Sequence, residues 1–167
     1  MNDQDPERVR SWAQNEGPAF WFLGTLVYVK TASADVNDAF TLIEQHAPPG
    51  FGPPLHVHHV EDEVFYVLDG RLRFRCGERA MRVEAGGCVF LPKGIPHAFR
   101  VEGDRPARIL QLTTPGGFDR FVAEVGVVAP QLTMPPPGPP PVGLLERVAA
   151  LGPQFHFTIV GPPLADM

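Results

Sequence analysis

The chain has 167 residues, of which 44% are hydrophobic and 20% charged, and this composition is typical of one soluble globular domain. The formal net charge of −5 argues against binding to nucleic-acid backbones, which requires clustered lysine and arginine. No stretch is apolar enough for a transmembrane helix, and the polar, acidic N-terminus is unlike a secretory signal. We therefore expect a cytoplasmic protein with neither nucleic-acid nor membrane partners.

The first predicted element is a polar N-terminal segment, residues 1–18, in which Glu7–Gln14 could form a short helix. Residues 19–115 alternate short apolar runs with turn residues, and this pattern predicts an all-β sandwich or barrel. The predicted strands are Phe20–Lys30, Ala39–Gln45, Leu55–Val60, Glu63–Leu68, Arg71–Cys76, Ala80–Val83, Cys88–Leu91, His97–Val101 and Ala107–Thr113.

The clearest local signal in this region is a predicted hairpin. Asp69-Gly70 separates two strands, and tight type I′ turns favour this pair because both central residues need a positive φ. In the second strand, arginines alternate with Leu72, Phe74 and Cys76, so we expect the arginines to face solvent. Cys76 and Cys88 lie in strand-like runs and are predicted to be buried thiols, not a redox pair.

The pattern changes after residue 115, and we predict that residues 116–167 form an extension packed on the barrel. Gly116–Val128 has apolar residues at helical spacing and should form an amphipathic helix. Pro130–Pro141 is proline-rich and should adopt extended polyproline II structure. A second helix is predicted over Val142–Leu151, and a last short strand over Gln154–Val160.

Histidine and glutamate residues in the middle of the chain predict a metal site. His56 and His58 are two residues apart, so they project from the same face of a strand, whereas His59 points away. Glu63 opens the next strand, and His97 follows a Pro-Gly turn. Three imidazoles and a carboxylate suit one divalent ion per chain, with Mn, Fe, Co, Ni, Cu and Zn all acceptable.

Strand periodicity extends this site into a predicted substrate pocket. Because Glu63 and His97 face the interior, the alternate residues that follow each of them face it too. The predicted pocket residues are Phe65, Val67, Phe74, Phe99 and Val101. Such an apolar, aromatic interior favours a small aromatic substrate over a sugar phosphate, for which an arginine or lysine would be needed near the metal.

Four further polar residues near the site have open assignments. Glu61 and Asp62 are expected in a solvated hairpin turn, although one of them could hydrogen-bond a ligand histidine. Gln45 and Gln111 lie in predicted strands of undetermined parity, so either could reach the pocket.

The two histidine-bearing stretches resemble the two signature motifs of the cupin superfamily. The first motif, G-x5-H-x-H-x4-E-x6-G, is matched by Gly50, His56, His58, Glu63 and Gly70. The second, G-x5-P-x-G-x2-H-x3-N, is matched by Gly86, Pro92, Gly94 and His97, with Val101 in place of the final asparagine. The resemblance implies a cupin double-stranded β-helix, or jelly-roll barrel, with short C-terminal helices. It also implies a metal held by the two histidines and the glutamate of the first motif together with His97.

The run PPLHVHHVEDEVFYVLDG, the aromatic first strand and the Pro-rich extension resemble bacterial quercetin 2,3-dioxygenase-like proteins. In that family a flavonol binds the metal through a hydroxylate, a glutamate takes its proton, and O2 cleaves the heterocycle. The resemblance implies that Glu63 is both ligand and general base, and burial should raise its pKa. The first and last barrel strands are apolar on both faces, so the C-terminal helices or a second subunit should cover their outer faces. Because cupins commonly pair in this way, the resemblance also implies a homodimer. The alternatives are a non-catalytic metallo-cupin that binds or senses a small ligand, and an oxygen-independent isomerase or decarboxylase.

Overall fold

The computed structural model describes residues 9–165, which form two antiparallel β-sheets and two short α-helices. The strands are β1 (Ala19–Phe22), β2 (Thr25–Thr31), β3 (Thr41–Ala47), β4 (Pro54–His58), β5 (Asp62–Asp69), β6 (Arg71–Cys76), β7 (Arg79–Glu84), β8 (Cys88–Leu91), β9 (His97–Val101), β10 (Ala107–Thr114), β11 (Val127–Val128) and β12 (Phe157–Pro163). The helices are α1 (Phe118–Val125) and α2 (Leu144–Leu151).

The two sheets enclose one apolar core. One sheet has seven strands in the order β11-β1-β2-β3-β10-β5-β8, and the other has five in the order β12-β4-β9-β6-β7. Phe65 and Ile109 from the first sheet pack with Leu72, Phe74 and Phe99 from the second. The predicted all-β jelly roll with short C-terminal helices is confirmed.

The C-terminal residues contribute to both sheets and form a second apolar cluster. The strand β11 pairs with β1, and β12 pairs with β4. Phe121 and Val122 of α1 and Val148 of α2 pack against Val27 and Ile43 of the seven-stranded sheet. The amphipathic helix predicted over Gly116–Val128 is therefore present over a shorter span, and it covers one end of the barrel.

The predicted first strand, Phe20–Lys30, is wrong as a single element. It is a hairpin, because Leu23 and Gly24 have φ values of 51° and 85° and form a tight turn between β1 and β2. Residues 9–13 show no helix, and the first part of the predicted helix Glu7–Gln14 lies outside the described residues. The last strand begins at Phe157, three residues later than predicted.

The outer face of β1 and β2 is covered by the chain itself. Tyr28 and Leu26 pack with Trp21 and Met134, and the Trp21 indole Nε1 donates a hydrogen bond to the carbonyl oxygen of Thr133 at 2.7 Å. The segment 130–141 contains neither helix nor strand, in agreement with its prolines. Neither helix of the described residues has the length and apolar character needed to span a membrane.

The outer face of β5 and β8 is more exposed. Tyr66 and Phe90 point outward there, and the register brings Leu110 opposite Tyr66. Cys88 is exposed on this face, so its predicted burial is wrong, and Cys76 is only half-buried. The reason is that Cys88 has the parity of Phe90 in β8, which is an edge strand. Both cysteines are free thiols.

Candidate metal centre

The structure brings the four predicted ligand side chains together. His56 and His58 project from β4 and His97 from the adjacent β9, where His56 lies opposite His97. Glu63 reaches them from β5 in the other sheet. One potential ligand atom from each of the four residues lies within 4.8 Å of all the others. The group therefore bridges the two sheets inside the barrel.

Two of the imidazole rings are oriented by backbone carbonyl groups. The Nδ1 atom of His56 lies 2.8 Å from the carbonyl oxygen of Pro54, and that of His97 lies 2.9 Å from the carbonyl oxygen of Ile95. A carbonyl oxygen can only accept, so Nδ1 must be the protonated nitrogen. In each ring the Nε2 atom is then free to act as a ligand.

Glu61 lies beside the third ring and is buried, so the alternative that one of the two acidic residues contacts a ligand histidine holds for Glu61, and the solvated turn does not. Glu61 is 8% exposed, and its Oε2 atom lies 2.9 Å from Nδ1 of His58. This is a close ion-pair contact, although the ring N–H is not directed well enough at the carboxylate to form a hydrogen bond. Carboxylates commonly orient metal-ligating histidines through the ring nitrogen that does not bind the metal, and Glu61 is placed beside that nitrogen of His58. The adjacent Asp62 faces away and accepts a hydrogen bond from the backbone N–H of Lys93.

Burial and the neighbouring charges shift the pKa values of the site residues in opposite directions. Burial raises the pKa of Glu63, but the positive charge of His58 and the close contact with Nε2 of His97 outweigh it and lower the pKa to about 2. The expectation that burial raises this pKa is therefore wrong. Burial lowers the pKa of His56 to about 4, so its ring is neutral at pH 7. Burial also lowers the pKa of His58, but Glu63 and Glu61 together raise it above its usual value.

These contacts fit a divalent metal ion. Nε2 of His97 lies 2.8 Å from Oε2 of Glu63, and Nε2 of His58 lies 3.7 Å from Oε1. When Nδ1 of His97 is the protonated nitrogen, Nε2 presents a lone pair to the carboxylate, and the two repel unless a proton or a cation lies between them. Three imidazole nitrogens and one carboxylate are ligands that Mn, Fe, Co, Ni, Cu and Zn all accept.

A small apolar cavity lies beside this group. Its volume is about 80 Å³. Phe51, Phe65 and Phe99 of the barrel line one side, and the C-terminal residues Phe118, Phe121, Val148, Phe157 and Ile159 line the other. Of the described residues, no lysine or arginine lines it.

The predicted pocket residues divide into two sets. Phe65 and Phe99 line the cavity as expected. The structure places Val67, Phe74 and Val101 in the packed barrel core instead of in the cavity wall. All five face inward. Val67 and Val101 lie one inward position further along β5 and β9 than the cavity-lining Phe65 and Phe99, and Phe74, which is opposite Phe99 in β6, packs its ring against both phenylalanines.

The structure shows on which face of their strands Gln45 and Gln111 lie. Both face inward, are buried and line the cavity. Gln111 Nε2 donates to Oε1 of Glu63 at 2.7 Å, and Gln45 Nε2 donates to the Thr25 hydroxyl at 3.0 Å. His59, by contrast, is exposed and contacts the Thr158 hydroxyl, so it lies outside the metal-binding group as predicted.

The substitution Glu61→Gln is expected to weaken metal affinity by about 10–100-fold, because it removes the negative charge that faces Nδ1 of His58. The measurement is a competition titration of zinc or cobalt against a chromophoric chelator. Asp62→Asn is the matched control, since it neutralises the neighbouring carboxylate without touching a ligand. Equal affinities of the two variants would contradict the role of Glu61.

Comparisons with known proteins agree with this fold. A family described as a cupin domain matches residues 43–113. Quercetin 2,3-dioxygenase from Bacillus subtilis is 29% identical over 112 residues, which cover 66% of this chain and 33% of that protein. An oxalate-binding protein from Thermotoga maritima is 25% identical over 105 residues, covering 63% of this chain and 83% of that protein. The chain thus matches only a third of the length of the Bacillus relative.

Solved structures show the same fold at low sequence identity. A predicted oxalate decarboxylase from Thermotoga maritima matches with a TM-score of 0.57 and 21% identity, covering 64% of this chain and 99% of that one. The cupin domain of Cnp3 from Schizosaccharomyces pombe matches with a TM-score of 0.56 and 12% identity, covering 68% and 79%.

Proposed function

The chain carries a cupin domain, and we propose that this domain is a metal-dependent dioxygenase that cleaves a flavonol or a related enolic aromatic substrate with O2. The observation that carries the proposal is the contrast within the cavity. Three histidines and Glu63 form a polar cluster in a wall that is otherwise largely apolar and aromatic. An aromatic substrate with one acidic hydroxyl matches both parts.

In this reaction Glu63 would accept the proton of the substrate hydroxyl. A divalent ion held by the four ligands would act as a Lewis acid and make a bound hydroxyl more acidic. Glu63 is ionised because its pKa is lowered, so it can accept a proton without first losing one. A carboxylate of low pKa is a weak base, and it therefore depends on a substrate hydroxyl that has been made acidic.

A second candidate is the binding or oxygen-independent conversion of a small ligand. The cavity volume of about 80 Å³ favours it, since sites for drug-sized ligands typically have about 300–1,000 Å³. The Thermotoga maritima oxalate-binding relative also favours it, because the match covers most of that protein. The absence of lysine and arginine from the described cavity wall disfavours a dianion such as oxalate.

The deciding experiment measures oxygen uptake with a flavonol after the purified protein is reconstituted with Mn, Fe, Co or Ni. We expect uptake that depends on both metal and flavonol, and that is lost in His97→Ala. His59→Ala is the matched control, because His59 follows the candidate ligand His58 in the sequence but lies outside the ligand group. No uptake with any ion, while metal stays bound, would contradict the dioxygenase. Turnover or binding without oxygen consumption would support the second candidate.

We further propose a homodimer formed through the exposed outer face of β5 and β8. The apolar side chains Tyr66 and Phe90 lie there beside the half-buried Val64 and Leu110. Tyr66→Glu is expected to convert the dimer to a monomer, as measured by light scattering after size exclusion. Val160→Glu places the same charge on an exposed residue of β12 and should leave the dimer intact. A monomeric wild-type protein would contradict the proposal.

A further inference from the structure

The carboxylate of Glu63 is held on both of its oxygens by different partners. Oε2 faces Nε2 of His97 at 2.8 Å, on the side of the ligand group. Oε1 accepts a hydrogen bond from Gln111 Nε2 at 2.7 Å. Because a carboxylate can only accept, the Gln111 amide must present its nitrogen here. Nothing in the cupin motifs includes this glutamine.

Strand pairing explains why Gln111 reaches this position. The strand β10 lies next to β5 in the seven-stranded sheet, where Thr113 is opposite Glu63 and Gln111 is opposite Phe65. Gln111 is thus the diagonal neighbour of Glu63 on the inward face, within the reach of a long side chain. Both side chains are almost fully buried, at 5% and 2% exposed. Water competes little for the bond, and it is strengthened because the acceptor is charged.

We infer that Gln111 is a positioning residue that restricts Glu63 to a single metal-ligating oxygen. Oε1 lies 3.7 Å from Nε2 of His58, but the Gln111 amide occupies one of its lone pairs. Oε2, which has no amide donor and lies closest to a ligand nitrogen, is then the oxygen that would bind the ion. This arrangement leaves coordination positions open for substrate, whereas a carboxylate that bound through both oxygens would fill one of them. The inference rests on the metal site of the proposed function but not on its dioxygenase chemistry.

Gln45 supplies the matched control. It lines the same cavity and is also buried, but its amide nitrogen bonds the Thr25 hydroxyl instead of a ligand. Gln111→Met and Gln45→Met each replace the amide with an unbranched apolar side chain of similar length. Only the first substitution frees an oxygen of Glu63.

The test is the absorption spectrum of bound cobalt(II) in the wild-type protein and in the two variants. In Gln111→Met the freed oxygen joins the coordination sphere, so the visible d–d bands should weaken and shift. Cobalt affinity should also fall about 10-fold or more, as is typical when a partner of a metal ligand is removed. Gln45→Met should match the wild type in both measurements.

Three outcomes would overturn the inference. Identical cobalt spectra in Gln111→Met and wild type would contradict the positioning role of Gln111 but not the metal site. If Gln111→Met does not fold, infrared spectra of the zinc-loaded wild-type protein with 13C-labelled glutamate decide the matter, and two-oxygen carboxylate coordination would contradict the inference. Failure of the wild type to bind cobalt would contradict the metal site itself. None of these readouts needs a flavonol or O2.

Discussion

Glu63→Gln is expected to lower oxygen-dependent turnover by about 10²–10⁴-fold, the range that a general acid or base typically contributes. Gln111 determines how the new amide would sit. If Gln111 keeps donating to the Oε1 position as it does in the wild type, the substituted amide keeps its oxygen there and places its NH2 group where Oε2 faced His97. An NH2 group neither accepts a proton nor binds a cation.

The variant therefore loses the base and one metal ligand together, and the measurement must separate the two. Oxygen uptake with a flavonol is expressed per bound metal, after saturation with the ion that best supports the wild type. Glu124→Gln is the control, since it neutralises an exposed carboxylate of α1 that pairs with Arg147. Full turnover per bound metal in Glu63→Gln would show that this carboxylate is not the base.

The four candidate ligands could be predicted from the sequence, the first two by local geometry and Glu63 and His97 by the spacing of the two cupin-like motifs. His56 and His58 share a face through the two-residue strand period, and a turn at fixed spacing leads into the strand that His97 opens. Strands such as Arg71–Cys76 and His97–Val101 were predicted to the residue, since clear alternation or turn residues mark their ends. The Leu23-Gly24 turn was missed because the apolar run continues through it.

The residues that support the ligands could be named only as alternatives, Glu61 or Asp62 and Gln45 or Gln111, because the choice depends on contacts that the sequence does not show. Gln111 lies 48 residues from Glu63, and only the pairing of β10 with β5 makes them neighbours. The cavity wall shows the same limit. Strand parity predicts that Phe74 faces inward, but not that its ring packs against Phe65 and Phe99 away from the cavity wall, nor that the distant Phe157 lines the cavity.

Phe118 and Phe121 of α1 and Val148 of α2 form the C-terminal side of the cavity wall, called the roof here. This roof has to move if a flavonol is the substrate. A volume of about 80 Å³ is well below the roughly 300–1,000 Å³ of sites that take drug-sized ligands, the size class of a fused aromatic ring system. On the barrel side of the cavity, Phe65 and Phe99 lie on β5 and β9, and each of these strands is hydrogen-bonded to a neighbouring strand along both of its edges. The roof includes Val148 on α2, an eight-residue helix preceded by the irregular segment 130–143. The contacts between α2 and α1 include an ion pair between the exposed side chains of Arg147 and Glu124, and such pairs stabilise little.

Val148→Phe should therefore lower kcat/KM for the flavonol by about 10-fold or more, since even one methylene group in a pocket is worth about 10–200-fold in discrimination. Val148→Ala should act in the opposite direction by enlarging the cavity. Leu145→Phe is the matched control, because Leu145 lies one turn earlier on α2 and is 49% exposed. The cobalt spectrum should be the same in all three variants, because none of them touches a ligand. If Val148→Phe left flavonol turnover and binding unchanged, the substrate would not occupy this cavity, and an approach to the metal from outside the α2 roof would be required.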